Sequence, residues 1–144
     1  MDTVSIEQRH YNMSRIHGKD TKPEIAVRRY LFRSGLRFRK NDRRLPGTPD
    51  IVLPKYKTVI FINGCFWHGH NGCKYYRIPK TNTEFWQAKI ARNIERDEDI
   101  IQQLIDLGWN VITVWECELK PKTADSTMSR LYSKIADQKP NQNV

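Results

Sequence analysis

Val59–Cys73 reads V-I-F-I-N-G-C-F-W-H-G-H-N-G-C. An apolar, β-branched run stops at Asn63-Gly64, and cysteines, histidines and aromatic residues follow at once. Cys65, His70 and Cys73 have the residue types and close spacing of a zinc clip. Phe66 and Trp67 fall between the ligands, where large apolar rings are hard to bury. His68 is left beside the clip as a candidate proton carrier.

Working outward, Asp50–Leu53 and Thr58–Asn63 read as two strands joined by a turn around Pro54–Lys57. In an antiparallel hairpin of this kind, paired residue numbers sum to about 112. Asp50 then lies opposite Ile62, at the open end where the Cys/His loop begins. Flanked by Pro49 and Ile51, that carboxylate needs a cation, a backbone N–H or a metal. Upstream, Asn41–Pro49 is a loop and Arg37–Lys40 a short strand. Asp20-Thr21-Lys22-Pro23-Glu24 opens a helix that runs to Arg33 or Ser34 and stops at Gly35. Arg28, Arg29 and Arg33 form its basic side, which faces either phosphates or solvent. Ser5–Ile16 can form a further short helix, making the first twenty or so residues an arm.

Downstream, Gly64–Thr81 is irregular and has little core of its own, a lack that a zinc ion would offset. A long helix begins near Thr83, capped by Asn82 or Thr81, and ends at Gly108. Phe85, Trp86, Ile90, Ile94, Ile100, Ile101, Leu104 and Leu107 give it an apolar period. Trp109–Trp115 is a strand that delivers Cys117. Lys122–Asp137 forms a last helix, and the tail from Gln138 frays.

The 144 residues suit one α/β domain, with a mixed sheet flanked by helices. The hydrophobic share of 38% is modest, but 10% aromatic content argues against disorder. A charge of +9 favours a polyanionic partner, nucleic acid first. No apolar run is long enough to span a membrane, and the start has no signal-peptide pattern. Three cysteines with metal-like spacing suit a reducing compartment, the cytoplasm. The complete ligand set is Cys65, His70, Cys73 and Cys117, a closed shell that holds a structural zinc with no position for catalysis.

Four segments carry a family resemblance: G-T-P-D-I-V-L, V-I-F-I-N-G-C-F-W-H-G-H-N-G-C, N-T-E-F-W-Q-A-K-I-A-R-N-I-E-R-D and L-G-W-N-V-I-T-V-W-E-C-E-L. Together they resemble the very short patch repair (Vsr) DNA mismatch endonucleases from about Met13 to Leu119. The resemblance implies a restriction-endonuclease-like fold and a magnesium-dependent enzyme. Such an enzyme nicks one strand of double-stranded DNA 5′ to the T of a T:G mismatch left by deaminated 5-methylcytosine. It would work beside a DNA cytosine methyltransferase and mismatch-repair proteins, at the nucleoid, as a monomer.

By motif, Asp50 matches the carboxylate that holds magnesium, with the Ile62 backbone carbonyl as a second ligand. His68 matches the catalytic base, and Glu24 an acid near the metal. Asp97 is expected near Asn63, a position where some members have His or Asp. An amide cannot act as a base, so Asn63 is left to orient water or phosphate. Phe66, Trp67 and Trp86 match aromatics that intercalate into the duplex, and Met13 a residue on the minor-groove side. Lys89 and Arg92 would neutralise phosphates, with Arg28 and Arg29. Two rival functions are a nicking nuclease for another target and a zinc-dependent DNA-binding module without catalysis.

Overall fold

A computed structural model describes residues 21–138 of the chain. Its elements are α1 (Lys22–Arg33), β1 (Arg39–Lys40), β2 (Ile51–Leu53), β3 (Thr58–Asn63), α2 (Thr83–Asp106), β4 (Asn110–Trp115) and α3 (Ala124–Ala136). Short 3₁₀ turns lie at Pro54–Tyr56 and Glu116–Leu119. The expected Ser5–Ile16 helix, Met13 and the tail beyond Gln138 lie outside the described residues.

The four strands form one mixed sheet in the order β1-β2-β3-β4. β1 with β2 and β2 with β3 are antiparallel; β3 with β4 is parallel. A parallel neighbour needs a crossover connection, and α2 supplies it.

Side chains alternate between the two faces of the sheet. Ile51, Leu53, Ile60 and Val114 join Val27 and Leu31 of α1 and Met128, Leu131 and Ile135 of α3 in one core. Val52, Val59 and Phe61 point the other way, with Leu104 and Ile100 of α2. Helices therefore cover both faces, which is why the short β2 is apolar at every position and wholly buried.

Several boundaries match expectation. The Thr21 hydroxyl caps α1 by accepting from the Glu24 N–H at 3.4 Å, and Pro23 sits in the first turn. At the other end Gly35 has φ +90°, and the Leu36 N–H reaches back to the Leu31 carbonyl at 3.0 Å.

Other expectations are corrected. The hairpin pairs Ile51 with Ile60, Val52 with Val59 and Leu53 with Thr58, so its numbers sum to 111 instead of 112. The cause is the turn, a 3₁₀ segment closed by Lys57 at φ +50°, which brings Leu53 directly opposite Thr58. Arg28 is not on a solvent-facing basic side; it is buried, with Arg29 and Arg33 outside it. Phe85 and Leu107 do not pack into the core of α2's inner face and stay exposed. Asn82 makes no side-chain cap; the Thr83 hydroxyl instead bonds the Pro79 and Lys80 carbonyls. β1 keeps only two of the four residues expected of it. No helix among the described residues is long and apolar enough to cross a membrane.

Candidate active site

A cleft of about 610 Å³ opens where α1 begins, β2 begins and β3 ends. Asp50, Glu24, Ile62, Asn63, Phe66, Trp67 and His68 all line it. Asp50 stands one residue before β2, and its carbonyl accepts from the Asn41 N–H at 3.1 Å. Its Oδ2 accepts from the Ile62 N–H at 2.7 Å. The expected closeness of Asp50 and Ile62 thus comes through the carboxylate reaching along the strand, not through direct pairing.

Glu24, only 6% exposed, enters from the first turn of α1. One turn on, the Arg28 guanidinium lies 4.0 Å from its carboxylate. Burial pushes the Asp50 carboxyl up to about 6. The Ile62 amide opposes that shift, the Glu24 carboxylate adds to it, and His68 and Arg28 oppose it weakly. Asp50 therefore holds a negative charge that its surroundings only partly compensate. A buried carboxylate, Glu24, and a half-buried one, Asp50, facing one cleft are the hard oxygen donors that a divalent cation takes.

His68 follows from the loop after β3, and its own N–H donates to the Gly64 carbonyl at 3.2 Å. Its Nδ1 lies 2.6 Å from Asp97 Oδ2 of α2. A carboxylate at Nδ1 holds the proton there, so the neutral ring keeps a free lone pair on Nε2. His68 and Asp97 themselves line a second cavity of about 320 Å³, with Asn63, Arg96 and Thr113 among others.

The loop is fastened to α2 at several points. Asn93, one helical turn before Asp97, donates from Nδ2 to the Trp67 carbonyl at 2.9 Å. Gly69 (φ +59°) presses on α2; a Cβ there would lie 2.6 Å from Ile94 and 2.9 Å from Ile90. The rings of Phe66, Trp67 and Trp86 meet edge to face, with centroids 5.1–5.8 Å apart.

Cys65, His70, Cys73 and Cys117 bring their four ligand atoms within 4.8 Å of one another. The His70 Nδ1 is the inward atom, 3.4 Å from Cys117 Sγ. Three sulfurs and one imidazole nitrogen form the donor set of a tetrahedral metal such as zinc. Burial pushes the Cys65 thiol up to about 12 and that of Cys117 upward. A bound cation would reverse that tendency and favour the thiolates. Cys117 arrives on the 3₁₀ turn after β4, which opens where the Glu118 carboxylate accepts from the Trp115 N–H at 2.9 Å. Trp115 lies flat on His70, centroids 4.0 Å apart and planes 4° from parallel.

The expected residues thus converge with few exceptions. Trp86 joins the aromatic cluster outside the cleft, while Lys89 and Arg92 sit on α2 away from its lining. Two contributors went unread in the sequence, and a third was misplaced. Asn93 and Trp115 act through partners 26 and 45 residues away respectively, by the numbering. Arg28, read as facing phosphates or solvent, is instead buried beside Glu24 one turn earlier.

A sequence model described as DNA mismatch endonuclease Vsr matches residues 1–74. The type II nicking enzyme V.NmeAIP of Neisseria meningitidis is 51% identical over 137 residues, covering 94% of this chain and 97% of that protein. The DNA mismatch endonuclease Vsr of Escherichia coli is 47% identical over 112 residues, 78% of this chain and 71% of that one. The type II nicking enzyme V.HpaIIP of Haemophilus parainfluenzae is 44% identical, covering 80% and 82% respectively.

Proposed function

The chain belongs to the Vsr family of DNA mismatch endonucleases, and from that membership we propose that it nicks one strand of duplex DNA 5′ to the T of a T:G mismatch. The α/β fold is the restriction-endonuclease-like fold of that family, and the activity is that of a DNA endonuclease. The observation that carries the reaction is the His68–Asp97 pair, at 2.6 Å, whose imidazole lines the same cleft as Asp50.

Each residue then has one task. Asp50, with the Ile62 carbonyl and with Glu24 close by, would hold magnesium, which would supply Lewis-acid charge to the scissile phosphate. His68 accepts a proton from the attacking water at Nε2, because Asp97 keeps Nδ1 protonated. Asp97 also stabilises the imidazolium that forms. Asn63 can only donate or accept hydrogen bonds, and so orients water or a phosphate oxygen. Phe66, Trp67 and Trp86 enter the stack at the mispaired step, where separation costs least. Met13 acts from the minor-groove side, and Lys89 and Arg92 contact phosphates.

Zinc held by Cys65, His70, Cys73 and Cys117 keeps the aromatic loop folded. The substrate arises from deaminated 5-methylcytosine, linking the enzyme to a cytosine methyltransferase and mismatch-repair proteins in the cytoplasm. It acts as a monomer, since a mismatch lacks two-fold symmetry.

The deciding experiment is strand-resolved nicking of T:G, T:A and C:G duplexes, with magnesium or with EDTA. The expected result is a single cut 5′ to the mispaired T, dependent on magnesium. Equal cutting of the matched duplexes would overturn the mismatch reading, and cutting in EDTA would overturn the metal assignment.

A further inference from the structure

We propose that a groove along the outer side of α1 binds the DNA backbone where the duplex runs out of the catalytic cleft. This rests on the reading of the chain as a DNA endonuclease and extends it to a surface separate from the cleft.

Positions 28, 29, 32 and 33 fall on one stripe of α1. Together with Phe38 they line an open groove of about 440 Å³. Phe32 is 55% exposed, a large apolar surface to leave in water. Arg37 pins that ring: its guanidinium carbon lies 3.9 Å from the centroid, and Nη1 donates to the Phe32 carbonyl at 3.3 Å. Aromatic floors walled by arginines suit nucleic acid, whose sugars and bases offer apolar faces beside the phosphates.

The groove adjoins the cleft across one pair of side chains. Glu24 lines the cleft, Arg28 lines the groove, and their side chains meet at 4.0 Å. Charge points the same way. Residues 21–44 hold nine lysines and arginines against two acids, a net +7 in a chain of +9. Neither acid projects into solvent alone: Glu24 is buried, and Arg44 grips Asp42 through two N–H donors at 2.9 and 3.0 Å. On the opposite layer, α2 has three basic residues against six acids, a net −3. The positive field is therefore concentrated on the α1 side, next to the site of cutting. An acidic protein would also suit the charge, but it would have no reason to share an edge with the cleft.

The test measures binding in EDTA, so that nothing is cut. A short T:G duplex covering only the mismatch is compared with duplexes lengthened on one side or the other. The native chain should gain about tenfold in affinity from lengthening on one side only. Arg29→Gln/Arg33→Gln, two exposed substitutions, should gain less than twofold, and Phe32→Ala should lose part of the gain. On the long duplex the slope of log K against log salt should fall by about 1.8, the release expected for two phosphate contacts. A double variant that keeps the full length-dependent gain overturns the proposal. So does one that loses affinity equally on every duplex. If an acidic protein is the occupant, both proteins will bind all the duplexes alike, which also overturns it. Nicking assayed separately on the same duplexes tells this failure from failure of the mismatch reading.

Discussion

The sulfur-nitrogen cluster and the carboxylate cleft flank one loop, yet they are assembled by opposite rules. Cys65, His70 and Cys73 lie within a few residues of one another, and only Cys117 arrives from elsewhere. Glu24, Asp50, His68 and Asp97 come from a helix start, a strand start, a loop and a second helix. The first set can be specified by spacing along the chain. The second depends on strand register and on the rotational phase of α2. They also differ in energetic sense. A cation would stabilise the thiolates, and ligand binding there is folding energy. Asp50 carries its charge where desolvation disfavours it, so without a cation that carboxylate opposes folding.

Removing the metal from the sulfur site should give the largest effect on structure. Cys73→Ser, or a zinc chelator, is expected to lower the Tm by more than about 10 °C and abolish nicking together. Calorimetry beside a nicking assay checks this; an unchanged Tm would mean that the cluster does not hold the fold.

The carboxylate cleft should respond in the reverse sense. Asp50→Asn is expected to reduce nicking by at least about 10³-fold while raising stability by about 1–3 kcal/mol at pH 7. The sign follows from the upward shift to about 6. Below about pH 4 the carboxyl is protonated both folded and unfolded, so its burial carries no charge penalty. Between about 4 and 6 the unfolded chain releases the proton first, and the penalty grows until it is complete above 6. The Tm gap between the variant and the native chain should accordingly close as pH falls from 7 to 4. A gap of constant size would exclude buried charge as its cause.

A smaller effect separates the two fastenings to α2. Asp97→Asn should slow nicking by about 10–10³-fold and distort its pH profile, since the imidazole loses its orienting charge. Asn93→Ala should change the profile little and instead weaken mismatch affinity by about tenfold, the loss of one partly buried hydrogen bond. Identical phenotypes would show that the Trp67 carbonyl and the His68 ring are not held independently.

Much of this was legible in the chain. The four sulfur and nitrogen ligands could be read directly, because three sit close together and the fourth is the remaining cysteine. The ends of α1 were visible in Thr21, Pro23 and Gly35, whose conformational preferences are local. Asp50 and His68, the residues read as catalytic, line one cleft. What escaped was whatever the turn and the tertiary packing decide. The pairing of Leu53 with Thr58 depends on the left-handed Lys57, a residue with no intrinsic preference for that conformation. Phe85 and Leu107 obey the apolar period of α2, yet the sheet is too small to cover both ends of a helix that long. Asn93 reads as an ordinary solvated helix residue until the loop is folded over it.

Asn93 and Asp97 grip adjoining residues of the loop, one by its carbonyl and the other by its ring. On the proposed roles of Trp67 and His68, sensor and scissors are mounted on a single hinge pin. A displacement of the indole at 67 has one peptide unit to travel before it reaches the imidazole at 68, and Gly69 pressed against Ile90 and Ile94 leaves little slack to absorb it. Faithful inspection of the duplex and readiness to cut would then be a single mechanical event, with no messenger running between them.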